Sequence, residues 1–327
     1  MLPVKRTYIP PFQWGKQMQS INSKIAPKIV RAGEGQFLEL HGEVRYQLLD
    51  ANDTGGSLSL ARSRFQMGAG APLHAHTRED EWFIVISGEF EFSLGAQTHC
   101  AQAGEFIFAP RHIAHSYTCL SQQGELLIGV VGAGFEEFFR HLAIQREKGV
   151  SLDPSALSAI ASIFGVSFES FDSLQSPDCV PKIGKVQSVP CLEAFGDIVR
   201  VLISSDEAAN RFCLAEGQTP SFFGPPPHVH DREDETFVVL AGRYEFQIGD
   251  ARVQVGVGDV VFAPRSIPHT FRVVSNEPGR SLIFATPGGF DHFFAECSQL
   301  WGTDQFSPPT VAAIGAKHSL RFLPPEA

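Results

Sequence analysis

Four residues with metal-ligating side chains occur in the first half of the chain at a suggestive spacing. His74 and His76 flank one alanine, Glu81 follows five residues after His76, and His115 comes on a later segment. On a strand, side chains two residues apart point to the same face, so both imidazoles are presented together. Three neutral imidazoles and one carboxylate suit a divalent transition-metal ion with coordination positions left open for a small molecule. The pattern predicts a metal site.

The same four residue types recur 154 residues further along the chain. The second set is His228, His230, Glu235 and His269. Other histidines are not duplicated at this offset: His41, His99 and His112 correspond to Phe195, Val253 and Ser266. Unrelated surface or core histidines would not be kept selectively in this way, so we predict two metal centres. Zinc is less natural for such a set, because structural zinc sites are closed and often use thiolate.

A sequence repeat covers most of the 327 residues. The segment HAHTREDEWFIVISGEFEF recurs as HVHDREDETFVVLAGRYEF, and further matches at the same offset extend upstream and downstream of it. Length alone favours about two domains. We predict an N-terminal arm at 1–36, a first domain at 37–169, a connector at 170–190 and a second domain at 191–327.

The elements that must position these ligands are mostly strands. Within each unit, short segments rich in Phe, Val and Ile are separated by Gly and Pro, which predicts an antiparallel barrel or sandwich. Helical patterns are confined to the end of each unit. They start near Phe135, Pro154, Phe290 and Pro308. We expect an all-β fold with a few short flanking helices.

Composition excludes several classes of partner. The formal net charge of −10 disfavours nucleic acid and anionic lipid surfaces. No run of 18 apolar residues and no apolar signal core occurs, so we expect no membrane partner and a cytoplasmic location. The six cysteines form no Cys-x-x-Cys pair, which favours buried free thiols over disulfides or a zinc knot.

The quoted residues resemble the two motifs of the cupin family. Gly68, His74, His76, Glu81 and Gly88 match the first motif, and Gly104, Pro110 and His115 match the second. The second unit matches with its four ligands and with Gly242, Gly258 and Pro264. Departures fall at His112, Cys119, Phe222, Ser266 and Val273, which are turn and wall positions. The resemblance implies a duplicated cupin, with a double-stranded β-helix (jelly-roll) barrel in each unit.

Among two-domain cupins (bicupins), the chain is similar to the quercetin 2,3-dioxygenase family in overall size and in the four residues that separate His76 from Glu81. This similarity implies a mononuclear iron, manganese, nickel or cobalt centre and dioxygen as co-substrate. It implies an aromatic or enolic substrate such as a flavonol, whose hydroxyl proton Glu81 takes or shares. Glu235 is the equivalent base of the second unit.

Six apolar or aromatic residues are candidates for the wall of a substrate pocket. They are Phe65, Met67, Phe83, Phe92, Phe106 and Tyr117. The alternative is that they only fill a barrel core, since any small barrel needs apolar side chains inside.

Other functions and assemblies remain open at this stage. The chain could be a non-oxidative cupin enzyme (isomerase, decarboxylase or lyase), or a non-catalytic small-molecule-binding bicupin. Storage cupins tend to lose the ligands, and both sets are intact here. Duplication favours a monomeric pseudo-dimer, with a homodimer as the alternative, and one of the two sites could be structural.

Overall fold

The structure, a computed structural model, describes residues 25–40, 42–132, 134–150, 153–168 and 178–323. It consists of two units, each built from a seven-stranded sheet and a five-stranded sheet. Their strands pair antiparallel throughout, and the apolar residues of each unit lie buried between its sheets. The predicted all-β fold, a duplicated jelly-roll barrel with flanking helices, is confirmed.

The strands are numbered along the chain. They are β1 (Lys28–Val30), β2 (Gln36–Leu40), β3 (Glu43–Leu49), β4 (Leu58–Gln66), β5 (Gly70–His76), β6 (Asp80–Ser87), β7 (Glu89–Leu94), β8 (Gln97–Gln102), β9 (Glu105–Ala109), β10 (His115–Cys119), β11 (Gln123–Val131), β12 (Val166–Ser167), β13 (Lys182–Lys185), β14 (Cys191–Ala194), β15 (Asp197–Ile203), β16 (Cys213–Thr219), β17 (His228–His230), β18 (Asp234–Ala241), β19 (Tyr244–Ile248), β20 (Ala251–Val255), β21 (Val260–Ala263), β22 (His269–Val273), β23 (Gly279–Thr286) and β24 (Leu320–Phe322).

The two units have the same strand order. In the first unit the sheets run β13-β9-β6-β11-β4-β3-β2 and β12-β5-β10-β7-β8. In the second unit, written in the same direction, they run β1-β21-β18-β23-β16-β15-β14 and β24-β17-β22-β19-β20. Since the order repeats element by element, the sequence repeat is a structural repeat.

Five helices accompany the strands in the described part of the chain. They are α1 (Ala51–Thr54), α2 (Glu136–Glu147), α3 (Pro154–Ile163), α4 (Phe290–Leu300) and α5 (Pro308–Lys317). The last four confirm the helices predicted at the unit ends. Asp153 and Ser307 cap α3 and α5, and a proline occupies the first turn, where its missing N–H costs little. The single turn α1 was not predicted.

The two units exchange their first strands. β1 belongs to the segment predicted as an arm, but it pairs with β21 of the second unit, with Lys28 opposite Phe262. Reciprocally, β13 belongs to the predicted connector and pairs with β9 of the first unit, with Ile183 opposite Ile107. Each barrel therefore contains a strand that precedes the other barrel in sequence.

Aromatic side chains from both barrels form one core between them. Trp82 packs against Phe284 at a ring-centroid distance of 5.9 Å, and Phe108 packs against Phe212 at 5.5 Å. All four side chains are at most 2% exposed. Burial on this scale makes the barrel contact part of the folded unit rather than a loose association.

Two further sequence expectations bear on the described residues. All six cysteines are free, as predicted, but the expectation that they are buried is wrong for Cys100 and Cys191, which are exposed. Among the described residues, no helix combines the length and apolar character needed to span a bilayer.

Candidate metal centres

The first predicted ligand set is assembled from both sheets of the first barrel. β5 and β10 are neighbours in the five-stranded sheet, and they place His115 directly opposite His74. His76 ends β5 and lies on the same face as His74 because strand side chains repeat every two residues. Glu81 comes from the start of β6 in the seven-stranded sheet. The site therefore lies between the two sheets at one end of the barrel.

The geometry of this site fits a metal ion. The Nε2 atoms of His74, His76 and His115 lie 3.8, 3.4 and 2.8 Å from Oε2 of Glu81. One ligand atom from each residue falls within 4.8 Å of the others, and all four residues are buried. His76 Nε2 is buried without a hydrogen-bond partner in the described structure. Three imidazole nitrogens and one carboxylate oxygen therefore converge in a buried space. A divalent transition metal suits this set of donors and would give the unpartnered nitrogen a ligand bond.

The second set forms an equivalent centre. Nε2 of His228, His230 and His269 lies 3.9, 3.2 and 2.8 Å from Oε2 of Glu235. His228 stands opposite His269 across β17 and β22, as in the first barrel. All eight predicted ligands are thus brought together in two sets of four.

Backbone carbonyls orient two imidazoles of each centre. Nδ1 of His74 lies 2.8 Å from the Pro72 carbonyl, and Nδ1 of His115 lies 2.9 Å from that of Ile113. Because a carbonyl only accepts, Nδ1 carries the proton and Nε2 is left as a lone-pair donor toward the site. In the second barrel, Pro226 and Ile267 make the same contacts with His228 and His269.

A buried glutamate orients the third imidazole, and sequence reasoning missed it. Oε2 of Glu79 lies 3.4 Å from Nδ1 of His76, and Oε2 of Glu233 lies 3.5 Å from Nδ1 of His230. Both glutamates are 2% exposed, although they belong to runs of charged residues, which are usually solvated. The run Arg-Glu-Asp-Glu occurs identically in both units, a signal that could have identified them.

Electrostatics within the cluster separate the histidine pKa values. Burial lowers the pKa of His74 to about 4, with the nearby His115 adding to the effect. Burial also opposes the charged form of His76, but the Glu81 and Glu79 carboxylates raise its pKa to about 9. Burial raises the pKa of Glu81, yet the three imidazoles bring it well below its ordinary value. The carboxylate of Glu81 is therefore ionised and available to a cation.

The turn before β10 has a left-handed backbone at the position where the cupin motif has glycine and this chain does not. His112 has φ +68°, and its counterpart Ser266 has φ +65°. Their amides donate to the carbonyls of His76 and His230, at 2.7 and 2.8 Å. The left-handed conformation is strained for these residues, and the hydrogen bond to a ligand backbone holds it.

A second buried carboxylate fixes the strand that carries Glu81. Asp80 is fully buried and pairs with Arg111 of its own barrel at 2.8 Å. Arg211 of the second barrel also reaches Asp80, with Nε 2.5 Å from Oδ2. The equivalent Asp234 pairs with Arg265. The first centre is thereby tied to both barrels through the residue next to its glutamate.

Four of the six predicted pocket residues cluster inside the first barrel. Phe65, Phe83, Phe92 and Tyr117 share one buried cluster, in which Phe83 and Tyr117 rings are 5.3 Å apart. Burial raises the pKa of Tyr117 well above its ordinary value, and the Glu43 and Glu81 carboxylates raise it further.

The other two residues predicted for the pocket lie outside this cluster. Phe106 stands opposite Ile84, which points to the other face of β6 from Glu81 and Phe83. Phe106 therefore belongs to the core between the barrels. Met67 is 64% exposed and follows the end of β4 that is remote from Glu81. The strand period places Ile107, rather than Phe106, inside the barrel.

The C-terminal segments of each unit cover its metal centre with aromatic rings. Phe135, at the start of α2, stands edge-on to His76 at 4.5 Å, and Phe168 lies 6.2 Å from His74. Phe290 and Phe322 repeat these contacts in the second barrel, at 4.6 and 6.3 Å. These rings were not among the predicted pocket residues, although the Phe-rich segments that carry them recur in the sequence.

Comparison with known proteins matches this architecture. A family model described as a cupin domain matches residues 61–131 and 216–284. The chain is similar to quercetin 2,3-dioxygenase of Bacillus subtilis (strain 168), with 22% identity over 300 residues that cover 84% of this chain and 87% of that protein. Among solved structures, Bacillus subtilis oxalate decarboxylase, described with Mn(II) centres, aligns with a TM-score of 0.58 at 16% identity, covering 80% of this chain and 77% of that one. This structural likeness shows a shared fold.

Proposed function

We propose that this chain, which contains two cupin domains, is a metal-dependent dioxygenase acting on an aromatic or enolic substrate of the flavonol type. One observation carries the proposal: three imidazoles and an ionised glutamate converge in a water-poor, aromatic-lined barrel end. Such a set leaves coordination positions open when a divalent ion is bound. A bound iron, manganese, nickel or cobalt ion would supply Lewis acidity and a binding position for dioxygen.

The residues of the first barrel divide the remaining work. His74, His76 and His115 hold the ion through their Nε2 atoms. Glu81 is both a ligand and the base that accepts the hydroxyl proton of the substrate, because it is the carboxylate of the four-residue ligand cluster. Glu235 has the equivalent role in the second barrel. The rings of Phe135 and Phe168 exclude water and offer flat surfaces to an aromatic substrate.

Two lines of support favour oxygen chemistry on an aromatic compound. The similarity to quercetin 2,3-dioxygenase extends over 84% of this chain and over both barrels. In addition, a Phe ring edge stands beside one liganding histidine in each barrel, which suits a flat apolar substrate better than a small polar one.

Oxygen consumption tests the proposal directly. The protein is loaded separately with Fe(II), Mn(II), Ni(II) and Co(II), and quercetin is added while dissolved oxygen is recorded. We expect uptake stoichiometric with loss of quercetin for at least one metal. His76→Ala and His230→Ala, each with its metal content measured, assign the activity to one barrel or both. Absence of oxygen uptake with all four metals would refute the flavonol assignment.

A non-oxidative metal enzyme, such as a decarboxylase, is the second candidate. The observation that favours it is the closure of the site: the side chains of the four first-barrel ligands are 1–6% exposed, which suits a small substrate. The chain also shares its fold with oxalate decarboxylase. Turnover of a small carboxylic acid without oxygen consumption would favour this candidate over the first.

A further inference from the structure

The inner face of the first barrel carries a buried arginine that the metal centre does not use. Register across the seven-stranded sheet places Arg45 opposite Ser63, Ser63 opposite Leu126, and Leu126 opposite Val85. Directly opposed residues share a face, and Val85 is four residues from Glu81 on the same strand. Arg45 therefore points into the barrel from the same face of the sheet as Glu81.

The guanidinium of Arg45 is buried but only partly satisfied. It is 2% exposed, its Nε lies 3.4 Å from Gln47 Oε1, and its Nη1 lies 3.6 Å from Glu43 Oε1. It also lies over the Phe139 ring at 4.3 Å. Both of these polar contacts are long, and neither of them involves Nη2. An arginine offers five N–H donors, and a buried cation with unused donors is costly unless an anion is supplied.

Two neighbouring polar atoms are also left without a hydrogen bond. Ser63 Oγ and Glu43 Oε1 are buried and make no hydrogen bond in the described part of the chain. Ser63 is fully buried and stands directly opposite Arg45 on the inner face. A hydroxyl and a guanidinium on the same inner face of the sheet are both donors that a carboxylate could accept from.

Aromatic contacts connect this group to the metal centre. The Phe139 ring under Arg45 contacts Phe135 at 5.0 Å, and Phe135 contacts the ligand His76 at 4.5 Å. The arginine and the metal ligands are thus linked through two successive rings of the segment that covers the first centre.

The second barrel has no charged residue at the position that corresponds to Arg45. The equivalent row there is Val199, Gly217, Ser281 and Val239, in the same register. Val199 stands where the first barrel has Arg45, and Gly217 stands where it has Ser63. The metal ligands are duplicated but this polar pair is not, which separates it from the requirements of the fold and of metal binding.

We propose that Arg45 and Ser63 form a subsite for a carboxylate or other acidic group of the substrate, so that the first barrel alone takes an anionic aromatic compound. This inference rests on the proposed function in treating the barrel interior as substrate space. Glu43 is the charged group that opposes it, since its carboxylate already faces Nη1. The competing explanation is that Arg45 only pairs with Glu43 and holds α2 against the barrel.

Binding of a simple probe pair distinguishes these explanations. Benzoate and its neutral isostere benzamide are titrated calorimetrically, without oxygen, into the Mn(II)-loaded protein. We expect one benzoate per chain, with at least tenfold weaker binding of benzamide. Arg45→Gln should weaken benzoate at least tenfold and leave benzamide unchanged, while Arg45→Lys recovers part of the loss. Glu43→Gln should tighten benzoate, because it removes the competing carboxylate.

Controls separate this result from metal binding and from misfolding. Arg62→Gln removes a cation from the same strand pair, one that is paired with Glu125 instead, and should change neither affinity. Metal content and thermal midpoint are measured for every variant.

Four outcomes would overturn the proposal. They are no benzoate binding, equal affinity for benzoate and benzamide, two benzoates per chain that Arg45→Gln does not affect, or weaker benzoate binding in Glu43→Gln. The titration uses no turnover, so absence of oxygen uptake with quercetin would refute the dioxygenase and leave this result standing.

Discussion

Replacement of the buried Glu79 by Gln tests whether the metal centres depend on residues beyond their four ligands. Glu79 Oε2 lies 3.4 Å from His76 Nδ1, and the two side chains are 2% and 1% exposed. The carboxylate holds the ring orientation and increases the electron density at Nε2. Glu79→Gln keeps the shape but removes the charge, so we expect weaker metal binding with little change in fold.

The distance sets the size of this effect. Loss of a carboxylate that supports a liganding imidazole costs roughly 10- to 100-fold in metal affinity. At 3.4 Å the contact is longer than a hydrogen bond, which favours the lower end of that range. We therefore expect an approximately tenfold loss at the first centre, or about 1.4 kcal/mol.

Competition for Mn(II) against a chromophoric chelator measures the metal affinity of both centres in the same chain. Glu79→Gln should weaken one of two sites, Glu233→Gln the other, and the double variant both. Glu91→Gln is the matched control, because it makes the same charge change at an exposed position of β7. Unchanged affinity in Glu79→Gln, or an equal effect of Glu91→Gln, would refute the argument.

Three further predictions concern stability, each measured by urea unfolding. Trp82→Ala should cost about 3–5 kcal/mol, since it empties the core between the barrels; a cost below about 1 kcal/mol would contradict that role. Arg211→Gln should cost about 1–3 kcal/mol because it leaves the buried Asp80 with one cation fewer, whereas Arg321→Gln, at an exposed pair, should change nothing measurable. Burial raises the pKa of Asp197 from 3.8 to about 6, so the folded state binds more protons than the unfolded state and loses stability as pH rises from about 4 to 6. Asp197→Asn should therefore gain about 2–3 kcal/mol at pH 8 and nothing at pH 3; equal effects at both values would contradict this pKa.

Most of the fold and all eight predicted ligands were accessible from the sequence because the repeat supplied an internal comparison. Residues that perform the same task in both barrels recur at one offset, as His76 and His230 do. Helix starts were also accessible, since Pro154 and Pro308 occupy the first turn after a capping side chain. These signals are local and need no knowledge of distant contacts.

The sequence did not predict the strand exchange, nor which side chains of β9 point into the barrel. β1 and β13 are short segments whose partners lie in the other barrel, so nothing local identifies them as strands of that barrel. Phe106 and Ile107 are both apolar neighbours on a strand that is buried on both faces. Alternation of polar and apolar residues is lost there, and only the packed structure reveals which side chain faces the barrel interior.

The sequence by itself determined that two jelly-roll barrels each present three histidines and a glutamate, because duplicated motifs and strand periodicity are properties of the chain. Only the tertiary structure decided what surrounds those ligands. Burial of Glu79, the reach of Arg211 across to Asp80, and the position of Arg45 on the inner face depend on strands far apart in sequence. A charged side chain in a sequence is solvated by default, and folding alone determines which charges are removed from water and must find partners.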